Sequence, residues 1–310
     1  MVAVACTLYE GHYHYGVGAL ANSLYTHGYR GNFWVGYRGE LPFWATNVAA
    51  MESYSKFSVK PDFSICFVPL ETTIHFTNYK PNFMLQVWEQ FDPSIESLIY
   101  IDPDITIKCR WSFFDEWVKR GIALCQDVNI TLNADHPFRY IWKDYAEKLG
   151  FGIVRSHDYY FNGGFVGIYG EYKSFLNLWS DLIGNLSQLN IKIDLSKFMQ
   201  GDGSHPFVSA DQNTLNLMSM LTPFPLSTIG SEGMDFSRYG FTMSHAIGSP
   251  KPWIKNYLWS ALDGYPPTRA DQNFWNYTQS PIKLYSSIFS AWKKRELSMA
   301  KAFARFYGRR

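Results

Sequence analysis

Short apolar runs of strand length alternate with segments of helical period along most of this chain, and that alternation constrains the fold more than any other feature. VAVAC (2–6), NFWVGY (32–37), SLIYI (97–101), GIALC (121–125) and GGFVGIY (163–169) each have the length and apolar content of a strand. Between them, GVGALANSLYTHG (16–28) spaces Leu20, Leu24 and Tyr25 at helical intervals and ends on a glycine, and KPNFMLQVWEQF (80–91) opens with Pro81 in its first turn. EYKSFLNLWSDLIGNLSQL (171–189) and ADQNTLNLMSML (210–221) also read as helices, the latter with Asp211 and Gln212 in its first turn. Such alternation predicts an α/β fold, a mixed and mainly parallel sheet with helices on both faces, in which ligands bind at the carboxyl ends of the strands. A composition that is 46% hydrophobic and 18% charged supports the core such a sheet needs. The body is expected over residues 1–280, with a basic amphipathic tail over 281–310.

The formal net charge of +1 gives no bulk electrostatic case for nucleic acid. The charge is uneven, however. Residues 281–310 hold Lys283, Lys293, Lys294, Arg295, Lys301, Arg305, Arg309 and Arg310 against Glu296 alone, a formal +7 that leaves −6 on the rest of a +1 chain. Within the tail Ile288, Trp292, Met299, Phe303 and Phe306 recur at steps of 3, 4 and 7, on one helical face. That pattern suits a helix lying on anionic lipid; a helix docked on the core with a solvated basic face is the alternative. Cys6, Cys66, Cys109 and Cys125 are widely spaced and form no metal-finger pattern, so reduced thiols are expected. MVAVACTLYEG lacks the charged start of a signal peptide, no long apolar run reads as a membrane span, and the N-x-S/T triplets at Asn129, Asn185 and Asn276 are expected to be coincidental. The expected location is the cytoplasm, at the inner face of a membrane where the tail attaches.

Two clusters carry chemistry. In YIDPDI, Asp102 and Asp104 follow a strand and lie on the same side of an extended backbone, with Pro103 stiffening the turn. Two such carboxylates repel unless one is protonated or a cation lies between them, and oxygen donors of this kind suit Mg2+ or Mn2+ bridging to phosphates. Solvated acids in a loop are the alternative. The second cluster is HAIGSPKPW (245–253). His245 could add a nitrogen donor, which favours Mn2+ over Mg2+; Gly248 permits close approach to phosphate, and Lys251 is a point charge suited to a diphosphate. A surface loop with Trp253 covering the core is the alternative.

Taken in order, these segments resemble the family-8-like retaining glycosyltransferases of the GT-A fold, a family that includes glycogenin and bacterial lipopolysaccharide galactosyltransferases. YIDPDI is similar to the family's Asp-x-Asp motif, FNGGFVGI (161–168) to its Phe-Asn-Ala-Gly segment, ADQNTLN to its Asp-Gln helix start, and HAIGSPKPW to its closing loop. CTLYEGHYHYGVGALANSL resembles the nucleotide-binding opening, through Tyr13, Gly16, Ser23 and Leu24, and the resemblance spans residues 2–255. It implies that 1–280 is a nucleotide-sugar-dependent catalytic domain. Asp102, Asp104 and His245 would bind Mn2+ (Mg2+ being the second choice), which grips the diphosphate of a UDP-sugar, and Gly248 and Lys251 would contact that diphosphate. Thr7, Leu8 and Tyr9 would line base and ribose, and Tyr13 would stack on uracil. Asn162, Gly163 and Gly164 would shape the donor-sugar pocket, Asp127 would read a sugar hydroxyl, and Asp211 and Gln212 would lie beside the reacting carbon. Lys80 corresponds less well to a basic residue before the metal motif, its spacing to Asp102 being longer. The chain departs from the family in the second glycine of FNGGF, in Pro103, and in lacking acidic or amide residues near the base in TLYEGHYHY, so the metal site is better matched than the uracil preference.

The activity so implied is retaining transfer of a hexose from UDP-glucose or UDP-galactose to a glycan or lipid-linked glycan. Without an assured carboxylate nucleophile of the glycosidase kind, same-face attack within an ion pair is expected, with a covalent adduct on Asp211 as the alternative. Loop 245–253 is expected to close over the donor and exclude water, and 188–209 is expected to contact the acceptor or to be an ordinary surface loop. Two other functions use the same residues: a metal-dependent nucleotide-sugar hydrolase, which needs a positioned water and no acceptor groove, and a non-catalytic sugar-binding relative, which needs no clamp on a leaving group.

Overall fold

The computed structural model describes residues 3–128, 132–188 and 193–307; Asn129, Arg309, Arg310 and part of the expected acceptor segment, 189–192, lie outside the described residues, as do the side chains of 304–307, Arg305 and Phe306 among them. In chain order come β1 (Val4–Glu10), α1 (His14–Thr26), β2 (Gly31–Arg38), β3 (Ala49–Ala50), β4 (Ser55–Lys60), β5 (Phe63–Pro69) and α2 (Lys80–Gln86). Next are β6 (Ser97–Ile101), β7 (Ile105–Ile107), α3 (Trp111–Val118), β8 (Ile122–Gln126), α4 (Pro137–Lys148), β9 (Phe161–Tyr169) and α5 (Ser174–Asn185). Last are α6 (Ala210–Leu221), β10 (Leu226–Ile229), β11 (Met243–His245), α7 (Tyr257–Leu262), α8 (Arg269–Asn276) and α9 (Ser287–Tyr307). The fold is α/β, as the alternation predicts, and the chain divides into two compact units.

One unit comprises 1–8, 70–101 and 112–231. Its strands lie in the order β10-β8-β9-β6-β1. β10 is parallel to β8 and β6 is parallel to β1, while β9 runs antiparallel to both β8 and β6, so four of the five point the same way. All five residues of β6 and the first eight of β9 are buried, so side chains on both faces of these strands are shielded from water. Phe175, Leu176, Trp179 and Leu182 of α5 and Leu215 and Leu217 of α6 are buried as well. Gly167 allows close packing: a Cβ there would lie 2.6 Å from Val118 Cγ1. The helix read over 210–221 is found with those bounds. The one read over 80–91 is α-helical only to Gln86 and continues as a wider π turn over Val87–Phe91.

The other unit comprises 9–69, 102–111 and 232–310. Its strands order as β2-β5-β4-β3, with β7 and β11 in a separate antiparallel ribbon. Helix α1 backs that ribbon, and Ser23 Oγ accepts the Ile107 N–H at 2.9 Å. Asn22, fully buried, donates to the carbonyls of Tyr277 and Ile282 and accepts the Ile282 N–H, all within 2.8 Å. Every polar atom of its amide that faces inward is thereby satisfied, which ties 277–282 to α1. Helix α9 docks through Ser290, Glu296, Leu297 and Ala300, which are buried, and leaves Ile288, Trp292, Met299 and Phe303 exposed. The tail helix is therefore docked, and the apolar side chains read at helical spacing are turned outward. No helix among the described residues is long and apolar enough to cross a membrane.

Candidate functional site

The β7–β11 ribbon pairs His245 with Ile105, and the Ala246 N–H donates to the Asp104 carbonyl at 3.0 Å. This ladder brings the two sequence clusters together across about 140 residues of chain, a separation that helical or strand periodicity cannot report. One ligand atom from each of Asp102, Asp104 and His245 lies within 4.8 Å of the other two. The turn that presents the aspartates is closed by a hydrogen bond from the Ile105 N–H to the Asp102 carbonyl (3.0 Å). Gly16 sits against this turn; a Cβ there would stand 2.2 Å from the Pro103 oxygen, so only glycine lets α1 approach the Asp-Pro-Asp backbone.

Asp104 is the hub of this cluster. Its Oδ1 lies 3.2 Å from His245 Nε2, and its Oδ2 is 2.5 Å from Lys251 Nζ, which also donates to the Ala246 carbonyl at 2.9 Å. Burial on its own would raise the Asp104 pKa, but the Lys251 ammonium and His245 outweigh it and hold the carboxyl well below the usual carboxylate range. Burial likewise works against the charge on Lys251, and Asp104 reverses this and raises its pKa. His245 Nδ1 is buried with no hydrogen-bond partner among the described residues. Two carboxylates and one imidazole, whose Nε2 faces Asp104, form a donor set suited to Mn2+ or another divalent ion.

Around this cluster the opening segment adds aromatic rings. Lys251 Nζ lies 5.8 Å from the Tyr13 ring centroid, and Tyr13 meets Trp253 edge-on at 5.4 Å. Burial raises the Tyr13 pKa. Gly248 has φ +77°, a left-handed conformation that L side chains rarely adopt. Tyr9 is buried against Tyr37 and donates to the Glu40 carbonyl at 3.2 Å. Thr7 and Leu8, which belong to the other unit, are buried, and Thr7 Oγ1 has no hydrogen-bond partner among the described residues.

The remaining predicted residues form a second network, within the first unit. Asp127 follows β8, where its N–H donates to the Tyr160 carbonyl at 2.8 Å. Its Oδ2 accepts from Asn162 Nδ2 (2.7 Å) and Gln212 Nε2 (3.0 Å). Gln212 Oε1 in turn accepts the Gly163 N–H at 2.9 Å, and Asn162 Oδ1 accepts the Gly164 N–H at 2.9 Å. Both ends of the Gln212 amide are thus engaged, its oxygen by the Gly163 N–H and its nitrogen by Asp127. Asp211, buried in the first turn of α6, pairs with Lys80 Nζ at 2.9 Å, and Lys80 also donates to the Gly163 carbonyl at 2.9 Å. The sequence spacing understates Lys80. Its only signal is a lysine immediately before the Pro81 that opens a helix, and its partner lies 131 residues away.

The sequence matches no family model and no curated protein. Solved structures do match. The glycosyltransferase GlyE of Streptococcus pneumoniae TIGR4 aligns with 98% of this chain at 13% identity and a TM-score of 0.51. The bifunctional glycosyltransferase WbbM aligns with 96% of it at 11% identity and a TM-score of 0.53. This chain covers 64% of the first protein and 52% of the second, so it spans roughly half to two thirds of the length of each. It has the fold of these glycosyltransferase structures.

Proposed function

We propose that this chain is a retaining glycosyltransferase that moves a hexose from UDP-glucose or UDP-galactose to a hydroxyl of a glycan or lipid-linked glycan, with Mn2+ as the cation. The observation that carries this reading is the convergence of Asp102, Asp104 and His245 within 4.8 Å, with Lys251 Nζ on Asp104. Asp102, Asp104 and His245 would hold the ion, and a divalent ion bound there supplies positive charge to phosphate oxygens. Lys251 stabilises the charge that builds on the departing diphosphate, and Gly248 offers it a backbone without a side chain. Thr7, Leu8, Tyr9 and Tyr13 take the nucleoside. Asp127 accepts from a sugar hydroxyl, with Asn162, Gly163 and Gly164 shaping the sugar pocket. Asp211 and Gln212 place negative and dipolar charge by the reacting carbon, and the paired state of both favours same-face attack, in which the leaving phosphate takes the acceptor proton.

The test is UDP release from a panel of UDP-sugars with Mn2+, with chelator, and with or without glycan acceptors. Acceptor-dependent release that chelator abolishes is expected. Release undiminished in chelator overturns the metal assignment, and release indifferent to every acceptor makes the protein a hydrolase. The reading includes peripheral contact between 281–310 and an anionic membrane, supported by the exposure of Ile288, Trp292 and Met299 on α9.

A further inference from the structure

Helix α9 has two faces, and its inner one grips the chain just after the loop that carries Lys251. Glu296 is buried, and its Oε1 accepts the N–H groups of Tyr257 (2.7 Å) and Leu258 (3.4 Å), the first two residues of α7. Its Oε2 pairs with Lys293 Nζ at 2.8 Å, and Lys293 also donates to the Lys255 carbonyl at 3.0 Å. The buried Tyr257 hydroxyl donates to the Pro252 carbonyl at 2.9 Å and accepts from Trp275 Nε1 at 2.8 Å. Residues 252–258 are therefore pinned at several points, two of them α9 side chains. A buried Glu–Lys pair gives little net stability, because desolvation offsets the attraction, but it sets geometry, since each partner is costly to leave unpaired. The outer face of α9 exposes Ile288 (85%), Trp292 (53%) and Met299 (51%), together with Lys294 and Arg295. Helix α7, which packs on α9, adds Trp259 (67%) and Leu262 (52%). Exposed aromatic and aliphatic side chains interspersed with cations suit an anionic lipid surface.

We infer that α9 couples attachment to an anionic lipid surface to the loop of 245–253, with Glu296 as the positioning residue: the outer face takes lipid, and the inner face steadies the segment on which the loop ends. This rests on the proposed function, whose own test, sugar transfer to an aqueous acceptor, is read separately.

The experiment measures amide hydrogen exchange of the full chain with vesicles of phosphatidylcholine and phosphatidylglycerol, against phosphatidylcholine alone, and scores vesicle binding by pelleting. In the unaltered protein, anionic vesicles should slow exchange at Tyr257, Leu258 and the amides of Gly248, Ser249, Lys251 and Trp253 by about threefold or more. Glu296→Ala should still pellet with these vesicles and lose the slowing, whereas Trp292→Glu with Met299→Glu should lose both. Glu296→Gln, which retains the acceptor for Tyr257, should restore much of the response. Lys293→Met serves as the second inner-face variant if Glu296→Ala does not fold. The inference is overturned if the unaltered protein does not pellet, if it pellets with no change at 248–258, or if both inner-face variants show the same slowing as the unaltered protein. None of these results affects whether UDP is released, so failure here and failure of the transferase reading are told apart.

Discussion

In the proposed function Lys251 makes opposite demands on the cation site and on the chemistry, and replacing it with methionine separates them. Lys251 Nζ stands 2.5 Å from Asp104 Oδ2, and both side chains are largely buried, at 12% and 6% exposure. A divalent ion approaching Asp104 must therefore compete with an ammonium already there. A unit pair near 4 Å is worth about 4 kcal/mol at an effective dielectric constant of about 20. Renewed hydration of the ammonium offsets part of this, leaving a net barrier to metal binding of about 1.5–3 kcal/mol for a partly buried pair. Lys251→Met removes that competition, and Mn2+ affinity without nucleotide should tighten by about tenfold or more, since each 1.4 kcal/mol is a factor of ten. Turnover should move the other way. Loss of a charge-assisted hydrogen bond to the leaving diphosphate costs about 1.5–3 kcal/mol, or about ten- to a hundredfold in kcat, with a smaller change in affinity for free UDP. The assay pairs the loss of the free Mn2+ paramagnetic resonance signal on titration with initial rates at saturating donor and metal. Weaker or unchanged Mn2+ binding in a folded Lys251→Met protein would refute the competition, and a variant that raised only the donor KM would refute the transition-state role.

Three further outcomes follow from the same geometry. Lys80→Met leaves Asp211 buried beside the Gly163 carbonyl without its cation, and should lower unfolding stability by about 3–5 kcal/mol in urea melts, with Lys80→Met/Asp211→Asn recovering part of the loss; equal stability in the single variant contradicts the buried pairing. Burial, reinforced by Arg139, pushes His157 down to about 4. Because the folded value is depressed, its contribution is complete above the unfolded value of about 6.5 and is lost as pH falls toward about 4. The stability difference between the unaltered protein and His157→Gln should shrink across that window, and a constant difference excludes His157 as the source. Mass spectrometry during turnover should find no glycosyl adduct on Asp211 or Gln212, and a competent adduct would replace same-face attack with a double displacement.

Local signals carried much of the architecture. The helix of 210–221 was legible because its apolar spacing and the acidic residue in its first turn agree, and the strands of 97–101 and 163–169 because they are apolar on both faces. Helix α4 was not legible as an element, since its residues are mainly polar or aromatic, and its buried Arg139 is satisfied by the carbonyls of Leu132 and Tyr159, partners that no pattern announces. The apolar spacing of α9 was readable, but not its inner face, where the polar residues Ser290 and Glu296 are buried. A glutamate in a basic helix reads as solvated surface until the backbone it caps is known.

Residue types and their local order were enough to specify an α/β chain with a pair of carboxylates behind a strand, a His-Gly-Lys loop and an Asp-Gln helix start, because strand and helix periods act over a few residues. That Lys251 also meets Asp104, that Gln212 is held at both ends, that Lys80 answers Asp211 and that Glu296 grips Tyr257 came only with the tertiary structure. These contacts join residues some 40 to 150 positions apart, and the free energy that selects them comes from burying charges and amides that must then find partners, a condition that only the packed chain can satisfy.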